Sequence, residues 1–307
     1  MKEKTISKTN YLSNSVVSEF IEYLYLVVTD KETLNLTFSV PKQNKEYPSD
    51  YWIDNPQRIV NYRVFNDALT EYFWAKESLE ENKERLDIIS AQLNDAISAS
   101  SDEAFFKAVD DCLLWGAGYR KSASLYRNNI AWLESNFPTR AGVLSYFLET
   151  LEALLAEQVQ LHAMPSLFRM NSGYTKVFAL MSPSQFIIYD SRVAAGLGLL
   201  FIKFLHKRPI HSTELSNALG LRFLRQGVPA RDPNVIFNIG MKAIYPSAAN
   251  SSLHHAESNV RANWLLQAVE ELVKRKGTKP EMDLRKMEAG LFMLGAQVGR
   301  PNGPILS

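Results

Sequence analysis

A chain of 307 residues, 46% hydrophobic and 22% charged, has the composition of a soluble globular protein and the length of one large domain or two intimate lobes. Its single cysteine, Cys112, excludes an intramolecular disulfide, an all-cysteine zinc site and an iron–sulfur cluster drawn from this chain alone, and points to a reducing cytoplasm. Lys and Arg number 34 against 33 Asp and Glu, and the resulting net charge of +1 argues at face value against a strongly basic nucleic-acid binder.

Taken in chain order, the opening MKEKTISKTN lacks the apolar stretch of a signal peptide. Apolar residues recurring at three and four then predict helices over roughly Ser15 to Val28, Val60 to Ile97, Ala104 to Glu134, Ser191 to Leu205, Ser258 to Lys274 and Glu281 to Gln297. Val143, Leu144, Phe147, Leu148, Leu151, Leu154 and Leu155 form a further helical stripe. Leu34, Leu36, Phe38 and Val40 alternate with polar residues, the period of a strand, so one or two short strands are expected near the N-terminus. The run KESLEENKERLD reads as a solvated helix face, and SASSD near residue 100 is the best internal boundary. This divides the chain into an N-terminal helical region with a short strand, 1–99, and a helical core, 100–307. The longest strongly apolar run, Val193 to Ile202, is far short of the ~20 residues of a membrane span, so no membrane partner is expected.

The balanced charge conceals an asymmetry. Residues 1–160 hold 16 basic against 24 acidic side chains, net −8, and residues 161–307 hold 18 against 9, net +9. Such a division can hold a polyanion on one face and repel it from the other.

Several chemistries are absent by motif: there is no G-x-x-x-x-G-K-[ST] loop, no H-E-x-x-H, no G-x-S-x-G and no G-x-G-x-x-G after a strand. WGAGYRKS, Trp115 to Ser122, has the wrong spacing for a phosphate loop and reads as a tight helix–helix junction. His254 and His255 adjoin, so on a helix they point about 100° apart and make a poor chelating pair; a surface or helix-cap environment is expected for both.

Met170 to Gly196, MNSGYTKVFALMSPSQFIIYDSRVAAG, is the informative stretch. Asn171, Ser172 and Gly173 interrupt one helical pattern, Tyr174 to Met181 resume another, Phe186 to Tyr189 are extended, and Asp190 stands before a new helix as its N-cap. A helix of about eight residues carries the chain ~12 Å, and about seven extended residues span ~23 Å, so Asp190 can return to Lys176. A hairpin opening a helix also offers free backbone N–H groups to a phosphate.

Thr175-Lys176-Val177, followed by a helix and then Tyr189-Asp190-Ser191-Arg192, resembles the active-site segment of the helix-hairpin-helix-GPD superfamily of DNA glycosylases, in particular bacterial proteins with an 8-oxoguanine DNA glycosylase-like fold. The C-terminal DLRKMEAGLFMLG and the helix containing WGAGY resemble elements of the same group. Ser172-Gly173-Tyr174 replaces the usual Gly-Val-Gly, so the metal-assisted phosphate contact of the hairpin is not expected, and no cysteine cluster follows. The resemblance implies a mainly α, two-lobed fold with a helix-hairpin-helix element, Asp190 as catalytic carboxylate and Lys176 as the amine that attacks the sugar. It implies DNA bearing a damaged or modified base as partner, in base excision repair or anti-phage defence, and no cofactor or metal. Ser172, Gly173, Thr175, Arg169 and Arg192 are then candidates for DNA contacts, with Lys203, Lys207 and Arg208 as further phosphate neutralisers. Tyr174, Phe178, Trp115 and Tyr119 are candidates for the pocket that receives the flipped base.

Two other readings stand beside it. HSTELSNALGLRFLR, His211 to Arg225, resembles the first helix and turn of a helix-turn-helix with Gly220 at the turn, which suits a non-catalytic DNA-binding protein. A purely structural or interaction protein, as in a bacterial defence system, would leave Asp190 only a cap.

Overall fold

The computed structural model describes residues 5–39, 59–165, 167–206, 217–224, 231–236, 245–248 and 251–299. It is mainly α, with three two-stranded pairings among the described residues. β1 (Thr5–Ser7) leads into α1 (Lys8–Leu12) and α2 (Ser15–Val28). Asn14 starts α2 by accepting from the backbone N–H groups of Val16 and Val17 at 3.0 and 3.4 Å, which satisfies donors that the helix itself cannot. The expected strand is β2 (Leu36–Ser39), paired antiparallel with β3 (Ile59–Tyr62) so that Leu36 faces Tyr62.

The helix expected over 60–97 is divided. β3 takes its start, α3 covers Phe65–Thr70, and α4 begins at Leu79 and ends at Ser98. Between them Ala75 and Lys76 turn the chain with φ of 54° and 71°. Ser78 and Glu81 form a reciprocal capping box at the start of α4, which makes that boundary a specific one. The helix expected over 104–134 is likewise two, α5 (Asp102–Gly116) and α6 (Ser124–Asn136), with WGAGYRKS forming the junction between them. α7 (Val143–Leu155) carries the predicted stripe, and its start is held by Asp102, whose carboxylate accepts from Gly142 and Leu144 N–H, each at 2.9 Å. Leu148 falls off that stripe and is exposed. β4 (Gln158–Gln160) returns to pair antiparallel with β1, and a single turn of 3₁₀ helix follows.

α8 (Tyr174–Met181), α9 (Ser191–His206), α10 (Ser252–Lys276) and α11 (Leu284–Leu294) complete the helices whose bounds are described. From Val193 to Ile202 α9 is apolar on every side, and it is buried over nearly all its length, as such a sequence requires. Phe20 of α2 packs its ring 5.2 Å from Phe201 and 5.3 Å from Phe204 of α9; burying each such ring contributes roughly 1.5–3 kcal/mol. α11 crosses on another side, so close that a methyl group at Gly196 would collide with the Leu291 carbonyl. The hydrophobic core is continuous from α2 to α11, and the expected boundary near residue 100 is the short turn that joins α4 to α5. Part of the His211 to Arg225 segment lies outside the described residues. No described helix is long and apolar enough to cross a membrane.

Candidate active site

Asn171 begins the site. Its Oδ1 accepts from the N–H groups of Gly173 and Tyr174 at 2.8 and 3.2 Å, and its Nδ2 donates to Asn129 Oδ1 at 2.8 Å. The turn thus supplies α8 with its cap. No α-helix lies among the described residues from 156 to 173, so the first helix of the expected helix-hairpin-helix is not seen there. The N–H groups expected to meet a phosphate are engaged by Asn171. Ser172, Gly173 and Thr175, expected at DNA, are buried; Thr175 Oγ1 donates to Ser172 O at 3.2 Å and accepts from Tyr189 N at 3.3 Å.

All eight side chains of α8 are buried, Lys176 among them. The lysine stem passes beside Gly116 at the end of α5: a Cβ there would lie 2.5 Å from Lys176 Cδ, so any larger residue would require the stem or the end of α5 to shift. Lys176 Nζ donates to Ser172 O at 2.9 Å and lies 3.9 Å from Asp190 Oδ2. Fourteen positions apart in sequence, the two residues meet as the chain-reach estimate requires. The lysine side chain is 5% exposed and the aspartate 16%, so Asp190 is the member that reaches solvent.

Asp190 caps α9: its Oδ1 accepts from Arg192 and Val193 N–H at 2.9 and 3.0 Å, leaving Oδ2 to face the amine. Burial works against its charge, but the Lys176 ammonium, the two cap N–H groups and Arg192 outweigh it and hold the carboxyl below its ordinary range, as a helix N-terminus favours. For Lys176 burial is the larger influence and holds the amine below its ordinary range, against the opposing pull of Asp190. Such a lysine is more readily neutral, and therefore nucleophilic, than a solvated one.

The extended strap Phe186–Tyr189, which carries Asp190, has its backbone held by side chains from other elements. His255, Asn259 and Asn263 lie at spacings of four on α10, hence along one side of the helix. Asn263 Oδ1 accepts from Ile187 N–H at 2.9 Å, Asn259 Nδ2 donates to Ile187 O at 3.1 Å, and His255 Nε2 donates to Tyr189 O at 2.8 Å. The step from Asn259 to His255, about 6 Å along the helix, matches the step from Ile187 to Tyr189, about 6.6 Å along the strap, while Asn259 and Asn263 share Ile187. Since a carbonyl only accepts, His255 is the Nε2–H tautomer; burial lowers its pKa to about 4. From α11, Glu288 Oε2 accepts from Ile188 N–H at 2.8 Å and its other oxygen pairs with Arg285. His255 is therefore a buried positioning contact and not the surface or capping residue expected. Asn259, Asn263 and Glu288 were not expected at the site; polar residues at spacings of four on the buried face of α10 are the sequence signal that marks two of them.

Two residues beyond Asp190, Arg192 joins an aromatic–cation cluster. The Arg192 guanidinium lies 4.3 Å from the Phe292 ring centroid and 5.4 Å from that of Trp74. It is buried, so Arg192 braces the cluster where a phosphate contact was expected. Trp74 meets Trp115 edge-on at 6.5 Å and donates from Nε1 to Trp115 O at 3.3 Å. Trp115 itself is buried, whereas Tyr119, at φ 58°, is 44% exposed and its hydroxyl donates to Glu77 Oε1 at 3.4 Å. Ala75, Lys76 and Tyr119 thus adopt left-handed conformations in the two turns flanking the cluster, each costing about 1–2 kcal/mol. Tyr174 and Phe178, expected in the base pocket, are instead core: both rings pack on Phe147 and are fully buried. Arg169 stacks over Trp132 at 5.6 Å, on the far side of the Asn171 turn in sequence. A groove of about 310 Å³ lined by Ala179, Phe186, Arg285 and Glu288, among others, includes neither Lys176 nor Asp190 in its lining.

The chain matches no protein-family model, no curated protein and no solved structure. The site therefore stands on its geometry: an amine depressed by burial, a carboxylate held at a helix N-terminus, and an aromatic cluster that Arg192 joins.

Proposed function

We propose that the protein is a DNA N-glycosylase that excises a damaged or modified base, with Asp190 and Lys176 as its catalytic pair. The observation that carries this reading is the approach of Lys176 Nζ to Asp190 Oδ2 at 3.9 Å, with both side chains largely withdrawn from water. When an N-glycosidic bond breaks, the base departs with the bonding electrons and positive charge develops on C1′ and the ring oxygen. A carboxylate fixed at a helix N-terminus stabilises that charge. In the hydrolytic branch, water adds to C1′ and gives up a proton. In the lyase branch, neutral Lys176 adds to C1′, loses a proton, and the ring oxygen leaves as a hydroxyl to give an imine; loss of a C2′ proton then expels the 3′ phosphate. A base must be flipped to reach the pair, and the partly exposed faces of Trp74 and Tyr119 are available to stack on it.

The test uses duplexes and single strands carrying a panel of damaged or modified bases, including bases of the kind found in modified phage DNA. Abasic product is expected with the wild type and is expected to be lost in Asp190→Asn. A borohydride-trapped adduct on an abasic-site duplex is expected to disappear in Lys176→Ala; base release persisting in that variant would confine the lysine to the lyase step. DNA binding without base release across the panel would sink the glycosylase in favour of a non-catalytic DNA-binding protein, and absence of both would favour a helical interaction protein. Repair and anti-phage defence separate on whether cells carrying Asp190→Asn lose resistance to phage with modified DNA.

A further inference from the structure

Resting on that reading, we propose that Glu288, acting with the His255–Asn259–Asn263 row of α10, is a positioning residue that sets the placement of Asp190 against Lys176. An extended segment buried in a helical protein has backbone groups that neither a sheet nor water satisfies. Here they are taken up one by one: Ile187 N–H by Asn263, Ile187 O by Asn259, Ile188 N–H by Glu288, Tyr189 N–H by Thr175 and Tyr189 O by His255. The next residue is Asp190. Its carboxylate can bond the first N–H groups of α9 with one oxygen and face the lysine with the other only while the strap enters α9 along this path. Asp190 is thereby positioned from three helices: Thr175 of α8, the α10 row, and Glu288 of α11.

Within this set Glu288 separates geometry from mere filling of space. It is 4% exposed, and its side chain spans from the Arg285 guanidinium to the Ile188 N–H. Burial pushes the carboxyl above its ordinary range, with Arg285 and the Ile188 N–H pulling against it, and the oxygen that faces the strap is held in place as its acceptor. Glu288→Gln keeps an oxygen for Ile188, with Arg285, whose side chain is 25% exposed, able to turn to water. Glu288→Ala removes the acceptor.

The experiment measures single-turnover borohydride trapping on an abasic-site duplex at saturating DNA, the duplex Kd, and amide hydrogen exchange at Ile188 by NMR, on the full chain. Displacing a catalytic group by about 1 Å costs on the order of 100-fold. Glu288→Ala is therefore expected to slow trapping about 30- to 100-fold with Kd unchanged, and to accelerate exchange at Ile188. Glu288→Gln is expected to stay within about threefold of wild type on both readouts. Trapping in Glu288→Ala equal to wild type, or a Glu288→Gln protein as slow as Glu288→Ala while its Ile188 amide stays protected, overturns the positioning role and leaves the glycosylase reading intact. If Glu288→Ala does not fold, the Glu288→Gln pair of readouts decides. No trapping and no base release by the wild type defeats the glycosylase reading itself, and the positioning role with it.

Discussion

Two of the lysine–aspartate pairs among the described residues share the same chemistry in opposite surroundings. On α4, Lys83 Nζ lies 2.5 Å from Asp87 Oδ2 with side chains 64% and 62% exposed; between α8 and α9, Lys176 Nζ lies 3.9 Å from Asp190 Oδ2 with side chains 5% and 16% exposed. The hydrogen bond and charge of Asp87 raise Lys83 above its ordinary range, whereas burial lowers Lys176. Distance alone would rank the α4 pair first. Exposure reverses the order, because water screens the close pair and the interior leaves the distant one nearly unscreened. A reactive amine needs to be neutral part of the time, and only the buried lysine is pushed that way.

The largest effect should fall on adduct formation. Lys176→Ala is expected to reduce borohydride trapping on an abasic-site duplex by 10³-fold or more, about 4 kcal/mol in barrier, whereas Lys83→Ala should trap at the wild-type rate. The pH profile sharpens the contrast. Because the folded Lys176 loses its proton below the ordinary 10.5, trapping should rise with pH and level off before that value. A rate still climbing past 10.5 would mean that a solvated lysine reacts.

Burial of ionisable groups around the strap should also be visible in stability. The pKa of His255 is about 4 in the folded chain against 6.5 ordinarily. Between those values the unfolded chain binds a proton that the folded one does not, so stability rises with pH across the window and is lost as pH falls through it. The expected loss is about 3 kcal/mol from pH 7 to pH 4. His255→Gln, which retains a donor for Tyr189 O, should flatten that slope in urea denaturation series; an unchanged slope would place the titration elsewhere.

The difference between the pairs was only partly legible in the sequence. α2 and α7 could be drawn to their ends because a one-sided apolar stripe and polar flanks mark both. The solvated face of α4 was legible for the same reason, although the helix was extended too far back: Glu71 to Lys76 contains neither glycine nor proline, and the Ser78–Glu81 box was the signal that stops it. The turn, α8, the strap and the Asp190 cap follow from turn residues and chain reach. What those could not convey was which polar groups face inward. Asn171 looks like any turn asparagine until its side chain is seen closing the donors left for a phosphate. Tyr174 and Phe178 look like pocket aromatics until Phe147, from another helix, covers them. The α10 row is visible as polar residues at spacings of four, but its partner is a strap some 70 residues earlier, and no local pattern connects the two.

A smaller effect should come from the channel that the lysine stem occupies. Gly116→Ala places a methyl 2.5 Å from Lys176 Cδ, so the stem must shift or the end of α5 must move. Overpacking of this kind costs about 1–3 kcal/mol, and a displaced amine should lower trapping about tenfold while leaving DNA affinity unchanged. Wild-type trapping in Gly116→Ala would show that the amine is not held by its stem and would weaken the case for a preset pair.

The smallest effect belongs to the α4 pair, and its smallness is the informative result. Lys83 precedes Asp87 by four residues, the less favourable order relative to the helix dipole. Both side chains are solvated, so a double-mutant cycle on Lys83→Ala and Asp87→Ala should return a coupling under about 0.5 kcal/mol, vanishing near ~1 M salt. The equivalent cycle on Lys176→Met and Asp190→Asn should return a coupling that salt barely changes, since counterions do not enter the core. Equal salt sensitivity in the two cycles would mean that water reaches Lys176 as freely as Lys83, and the lysine would then have no reason to be more reactive than any other on the surface.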